Sequence, residues 1–384
     1  MHRGWIVSRF ILILFFCISN SEAASADAQL VTINNLIIKH APYKQYNTKT
    51  RQYNANIGRS PAAACESILF LVEYYKLTGN RETHAKILEL TNYILAQHDK
   101  KLMNVPASPD LEYPISATYY TMDAALCGEA MLSVYNLFNR EEYLLTAISF
   151  AKFLDKMHAE SGYNGLCEYY DRSLDGFNCN TYTKNLIALS FLRKLYDQTG
   201  HKGWNILASN IKKFALHGLE RGWEFYSVAE NKWKRVKGSH GEGDIYVYGD
   251  TVAYALKGLF EYEGDSPLVR KIYEHFMTFG GGNLKTKATY NPKLCLAGYL
   301  VYNDHKADAD SAYYDVVTIG LLHGIKQKAE PADFKNTCNF LLSQDINTMF
   351  WYKNYDLKID PLNPVMDIVT LANIGSAIMM CKRI

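Results

Sequence analysis

Five short breaks divide this chain into helical pairs. Gly79-Asn80, Asn139-Arg140, Thr199-Gly200, Gly264-Asp265 and Ala329-Glu330-Pro331 each fall between two stretches whose apolar residues recur at helical spacing. The clearest unit starts at Tyr246 and continues beyond the break at Gly264-Asp265. An aromatic and acidic lead-in, Tyr246, Tyr248 and Asp250, opens a helix with Val252, Leu256 and Leu259 on one face and Phe260 widening the stripe. Ser266 then caps a second helix with Pro267 at its first position, where the missing N–H costs nothing. Other pairs begin at Ser60-Pro61, near Tyr119-Tyr120-Thr121-Met122-Asp123, near Asn180-Thr181-Tyr182 and near Tyr313-Tyr314-Asp315. A last helix, Val365 to Met380, has no partner after it.

The first helices start near 61, 121, 181, 249, 313 and 365. That period of roughly 50–70 residues is too long for the 34-residue tetratricopeptide unit and suits hairpins with elaborated loops. Turns within a pair take roughly two to five residues and connections between pairs roughly 20–30. In alternating antiparallel helices this places every long loop on one face, together with every first-helix N-terminus. Long aromatic loops on a rigid scaffold usually carry function. The amphipathic stretch Asp27 to His40, with Leu30, Ile33, Ile37 and Ile38 on one face, supplies the helix missing from the last pair. Six inner and six outer helices are expected. The inner ones should be apolar nearly all round, as Val365 to Met380 is.

Residues 1–23 read as a signal peptide: Arg3 and Arg9 supply the basic region, Phe10 to Ile18 is an apolar run, and Ser21-Glu22-Ala23 or Ala24-Ser25-Ala26 offers small residues for cleavage. The run is shorter than the roughly 20 residues that span a bilayer. An exported, periplasmic or secreted protein is expected, with residues 24–384 as one domain. The 41 basic and 39 acidic residues leave a formal charge of +2, which does not point to nucleic acid or an acidic membrane surface. Cys65, Cys127, Cys338 and Cys381 lie in apolar helical contexts and read as buried thiols. Cys167 and Cys179 flank a loop, where either a disulfide or two thiols fits. No CxxC, HExxH or EF-hand pattern occurs, so no metal site and no cofactor is expected.

The hairpin count, the loop asymmetry and lead-ins such as Tyr248-Gly249-Asp250-Thr251 and Tyr119-Tyr120-Thr121-Met122-Asp123 resemble the (α/α)6 toroid of the six-hairpin glycosidase superfamily. The resemblance covers nearly the whole mature chain and is architectural. It implies an all-α ring with short β-hairpins in the long loops. It also implies a carbohydrate substrate in a cleft over the inner-helix N-termini, and glycoside hydrolase, polysaccharide lyase or sugar epimerase activity.

Asp123, Asp250, Asp315 and Asp367 recur near inner-helix starts. Glycoside hydrolysis needs two carboxyl groups across the bond. Capping is the alternative role for each of these aspartates. The glycine-spaced run Gly238 to Asp244 adds His240 and Glu242 as acid or base candidates, or is a solvated β-turn accompanying a strand pair, Trp223 to Tyr226 with Asn231 to Val236. Sugar-binding candidates are Tyr119, Tyr120, Tyr182, Trp223, Tyr248 and Tyr314, whose rings offer an apolar face and a polar tip. Arg172 binds an acidic group or pairs with Asp171 or Asp175, and pairing is favoured. Lys232, Lys234, Arg235 and Lys237 near the same mouth suit a uronate or a solvated hairpin. The leading expectation is a glycoside hydrolase. A uronate lyase or epimerase using His240, Tyr248 and Arg172, and a non-catalytic glycan-binding toroid, stay open.

Overall fold

A computed structural model describes residues 26–111, 117–179, 183–220, 224–227, 230, 232–235, 245–271, 290–291, 296–297, 299–303, 306–307, 338, 342 and 365–382. For 183–184, 218–220, 224–227, 232–235, 245–253, 290–291, 296–297, 299–303 and 306–307 it describes the backbone alone. The expected leader, the run Gly238 to Asp244 and, apart from Cys338 and Leu342, the hairpin beginning at Tyr313 lie outside these residues.

Helix pairing follows the breaks. α1 (26–40) precedes three hairpins: α2 (Pro61–Thr78) with α3 (Arg81–Gln97), α4 (Thr121–Phe138) with α5 (Glu141–Ser161), and α6 (Ala188–Thr199) with α7 (Lys202–Glu220). α8 (Gly249–Glu263) and α9 (Ile368–Lys382) complete the described set of long helices. Ser60 caps α2 by accepting the Ala63 N–H, with Pro61 inside the first turn. Gly79 and Gly200 close α2 and α6 at φ +64° and +66°, the left-handed conformation that a helix C-cap uses. Asn80 then caps α3, accepting the Glu82 and Thr83 N–H groups at 2.9 and 3.0 Å.

The inner helices stand side by side in the order α9, α2, α4, α6, α8. Their buried faces are rich in small residues, with Ala63, Ala64, Ala124, Ala125, Ala130 and Ala188 buried, but they are not apolar all round: Glu66, Asp123 and Glu129 are buried among them. Small residues bring the axes close, and the large rings fill what remains. A Cβ on Gly128 would meet the Phe191 ring, and one on Gly375 would meet Phe70. α3, α5 and α7 form the outer layer. α1 joins it between α3 and α9, where Thr83 donates to Asn34 at 2.8 Å and Lys382 pairs with Asp27. This is the place expected for it.

The third inner helix departs from expectation. Residues 180–182, near which its start was expected, lie outside the described residues. Thr183–Ile187 is a 3-10 turn, and the α-helix begins at Ala188. That turn packs against α8 so closely that a Cβ on Gly258 would overlap the Leu186 carbonyl oxygen. A backbone atom cannot swing aside as a ring can. Gly258→Ala should therefore lower the unfolding free energy by about 2–3 kcal/mol, as overpacking does. Urea unfolding will read this, with Gly128→Ala losing less because the Phe191 ring can adjust.

Short strands decorate the loop face. β1 (Gln45–Asn47) and β2 (Gln52–Tyr53) form a hairpin. β3 (Thr118–Tyr120) pairs with β4 (Tyr169–Asp171), which pairs with β5 (Gly176–Asn178). β6 (Glu224–Ser227) pairs with β7 (Lys232–Arg235), the hairpin expected around Trp233. β8 (Ile245–Tyr248) comes next, then β9 (Tyr290–Asn291), β10 (Leu296–Ala297), β11 (Tyr299–Asn303), β12 (Lys306–Ala307) and β13 (Val365–Asp367). β13 pairs with β1, Asp367 opposite Gln45, and β11 pairs with β8. Three strands, β3, β8 and β13, run straight into inner helices. The aromatic and acidic lead-ins are these strands.

Cysteine pairing corrects the sequence reading. Cys65–Cys127 and Cys338–Cys381 are disulfides, as is Cys167–Cys179. Cys65 and Cys127 occupy early turns of adjacent inner helices at similar height. Apolar surroundings had suggested thiols, but only the ring order makes these two side chains neighbours. No described helix is long and apolar enough to cross a membrane.

Candidate functional site

A cavity of about 490 Å³ opens over the inner-helix N-termini, on the loop face. Its walls come from many elements. α2 contributes Ser60, Ala62 and Glu66, α4 contributes Met122, Asp123 and Leu126, and α8 contributes Tyr254. Asp367 enters from the end of β13, Val369 and Thr370 from α9, Asn185 from the 3-10 turn, and Tyr120 and Glu168 from the β3–β4 region. Lys44, Ile57, Ala107 and Ser108 complete the rim. Four carboxyl groups and one lysine thus share a space that also offers hydroxyl, amide and aromatic groups.

Strand alternation decides which tyrosine reaches the cavity. Tyr120 lines it, packed edge-on to Tyr169 at 5.4 Å. Tyr119 points the other way into the core, and its hydroxyl donates to Asp99 at 3.4 Å. Arg172 pairs with the same Asp99 at 3.4 Å and does not line the cavity. Pairing with Asp171 or Asp175 is corrected. Asp171 instead accepts from Ser173, and Asp175 accepts the Tyr170 hydroxyl at 2.6 Å. Among the expected catalytic carboxylates, Asp123 lines the cavity. Asp250 lies in the first turn of α8 and Tyr248 ends β8, both described by backbone alone. Asp315, His240, Glu242, Tyr182, Trp223 and Tyr314 lie outside the described residues.

Asp367 was readable as one of the recurring carboxylates. It ends β13 and caps α9, Oδ1 accepting the Thr370 N–H at 3.0 Å. The residue is 3% exposed, and Oδ2 has no hydrogen-bond partner among the described residues. One oxygen thus caps the helix, while the other is buried beside the cavity.

Glu66 was missed. It sits on α2 beyond the first turn, 4% exposed, and accepts the Tyr254 hydroxyl at 3.1 Å. Burial pushes its pKa up, and the Lys257 ammonium and the Tyr254 hydrogen bond oppose that only in part. The one available signal was its isolation: from Pro61 to Val72 it is the only charged residue. Glu168 was also missed. Its backbone is fixed on both sides, its carbonyl accepting from Thr121 at 2.9 Å and its N–H donating to Asn178 at 2.7 Å. The Cys167–Cys179 disulfide lies next to it. No group of three or more His, Cys, Asp or Glu among the described residues is placed to hold a metal.

Lys44 reaches the cavity on a loop anchored by aromatic packing. Tyr43 stacks on Tyr53 at 3.9 Å, and His40 lies against Tyr46 at 4.2 Å with Nδ1 3.3 Å from the Tyr53 hydroxyl. Burial, then Lys39 and Lys86, lower the His40 pKa from 6.5 to about 4. The unfolded chain thus binds a proton near pH 6.5 that the fold refuses until about pH 4. Stability should fall as pH drops through that window, by roughly 2–3 kcal/mol from this group, and level off below it. Thermal midpoints between pH 4 and 7 will test this, with a flatter profile expected for His40→Phe.

No family model and no curated protein matches the chain. Solved structures do. Cellobiose 2-epimerase from Spirochaeta thermophila is similar with a TM-score of 0.67 at 10% identity, over 95% of this chain and 97% of that one. An unsaturated glucuronyl hydrolase specific for heparin gives 0.63 at 12%, over 93% and 96%. Endoglucanase Cel10, a family 8 glycosyl hydrolase from Klebsiella pneumoniae, gives 0.56 at 14%, over 92% and 99%. These likenesses span nearly the full length of each chain, and they show the fold, an (α/α)6 toroid.

Proposed function

We propose that this protein is an exported carbohydrate-active enzyme that hydrolyses glycosidic bonds in the cavity over the inner-helix N-termini. One observation carries the reading: a buried carboxyl that favours its protonated form, Glu66, shares that cavity with ionisable carboxyl groups held at helix starts. Glu66 donates its proton to the glycosidic oxygen as the bond from that oxygen to the anomeric carbon breaks. Asp367, whose Oδ2 has no hydrogen-bond partner among the described residues, takes a proton from water as the water oxygen bonds to the anomeric carbon. Asp123, Glu168, Ser60 and Asn185 provide hydrogen-bonding partners for sugar hydroxyls, and Tyr120 provides a ring face. The fold neighbours named above are supporting company, because they include enzymes that act on sugars.

Hydrolysis is favoured over uronate chemistry by the cavity wall. Its described lining contains no histidine and no arginine, and its acidic groups outnumber Lys44. Export is supported by the leader-like residues 1–23 together with three disulfides, which persist in oxidising compartments. The test is product analysis across neutral, amino and uronate oligosaccharides. New reducing ends are the expected result. An ultraviolet-absorbing unsaturated product, a change of sugar configuration without cleavage, or binding without turnover would each overturn hydrolysis.

A further inference from the structure

Two connections of the loop face meet at one ion pair. Arg59 belongs to the connection from α1 to α2, and Asp110 to the connection from α3 to β3. Arg59 Nε lies 3.1 and 2.9 Å from the two Asp110 oxygens, and Nη2 lies 2.7 Å from Oδ1. The Arg59 backbone N–H also donates to Oδ2 at 2.9 Å. The two segments approach closely: a Cβ on Gly58 would stand 3.0 Å from the Asp110 Cβ. The Arg59 guanidinium also lies 5.5 Å from the centre of the Tyr93 ring on α3.

Each partner stands beside residues of the cavity wall. Ile57 and Ser60 lie within two residues of Arg59, and Ala107 and Ser108 shortly precede Asp110; all four line the cavity. The Arg59 side is fixed to the ring. Tyr43 bridges to Arg59, the Ser60 N–H donates to the Pro42 carbonyl at 2.9 Å, and the Lys44 carbonyl accepts from Ile368 of α9 at 2.9 Å. The Asp110 side has fewer ties. The Ala107 N–H donates to the Thr118 carbonyl of β3 at 2.9 Å, and the Leu111 N–H turns back to the Ser108 carbonyl at 3.1 Å. Among the described residues, the hydrogen bonds that tie 108–111 to another segment are those of Asp110 with Arg59. Both side chains are partly exposed, where an ion pair adds little to global stability. A forked, two-point pair instead fixes a position. We infer that Arg59 and Asp110 are positioning residues that hold Ser108 in the cavity wall, where its hydroxyl meets a hydroxyl of the sugar. This rests on the cavity being the glycan site proposed above.

Substrate affinity and local order read the tie separately. On a cleaved glycan, Asp110→Asn and Arg59→Met should each raise KM about five-fold, the upper end of what an exposed pair contributes, and keep kcat within about two-fold. The double variant Arg59→Met/Asp110→Asn should go no further than either single one, because both remove the same interaction. Ser108→Ala should raise KM by a similar factor in the wild-type background and leave it nearly unchanged in Asp110→Asn. Hydrogen exchange of the full chain should quicken at the Leu111 amide in both single variants, while the α4 amides and the thermal midpoint stay near wild type. Faster Leu111 exchange with an unchanged KM would make the pair a purely structural tie and overturn the inference. Unchanged Leu111 exchange, or additive KM effects in either double variant, overturns it too. If Asp110→Asn does not fold, Arg59→Met carries the same tests, alone and combined with Ser108→Ala. If glycans bind without being cleaved, the hydrolase reading falls, and Kd takes the place of KM with the same shift expected. A wild-type chain that binds no glycan overturns both.

Discussion

Glu66→Gln should lower kcat on a cleaved glycan by about 10²–10⁴-fold, the range that a positioned general acid contributes. The substitution keeps shape and keeps an acceptor for the Tyr254 hydroxyl, which lies 3.1 Å from Oε1. It removes only the proton that can be donated. Because burial already favours the neutral carboxyl, exchanging it for a neutral amide adds little desolvation cost. The thermal midpoint should therefore stay near the wild-type value while activity collapses. Glu66→Ala would mix the two effects by opening a void in the inner ring. The wild-type pH profile carries a second signature. A donor with a raised pKa works below that pKa, so activity should decline on the alkaline side as Glu66 loses its proton. Steady-state kinetics and unfolding on one preparation separate the readouts. Full turnover in a folded Gln variant would move the proton donor to another carboxyl of the cavity, with Asp123 the next to replace.

The ring was legible because its punctuation is local. Ser60-Pro61, Gly79-Asn80 and Thr199-Gly200 each act through their own backbone, so reading the chain was enough to find the caps and turns. Asp123 and Asp367 were legible for the same reason: each lies within or next to the first turn of an inner helix. Glu66 obeys a different rule. It lies deeper in its helix, and its character comes from Tyr254, 188 residues away, and from Lys257 and Asn373 on other helices. Arg172 shows the converse. Its nearest acidic neighbours in sequence are satisfied by Ser173 and Tyr170, leaving it to Asp99 across the sheet. Hairpin periodicity orders the helices but does not say which side chains share a height within the ring. That requires the strand lead-ins and the 3-10 entry to α6, which shift each helix along its axis.

Removing the Cys65–Cys127 disulfide should cost about 4 kcal/mol of unfolding free energy. The two cysteines are 62 residues apart, and chain-entropy reasoning assigns a loop of that length this much stabilisation. The Cys167–Cys179 loop of 12 residues should matter less to stability, by about 1.5 kcal/mol. The order should invert for catalysis. Cys65 precedes Glu66 on a helix whose packing against α4 and α9 continues without the cross-link. Glu168 follows Cys167 outside any helix, held by backbone bonds at Thr121 and Asn178. Below its lowered midpoint, Cys65→Ala/Cys127→Ala should keep kcat within a few fold of wild type. Cys167→Ala/Cys179→Ala should instead raise KM, because a cavity wall that meets sugar hydroxyls loses its anchor. Urea unfolding and kinetics on both double variants check the pair of orders. A wild-type midpoint in Cys65→Ala/Cys127→Ala would mean that the cross-link contributes nothing to the folded ring. An unchanged KM in the other variant would remove Glu168 from the substrate's surroundings.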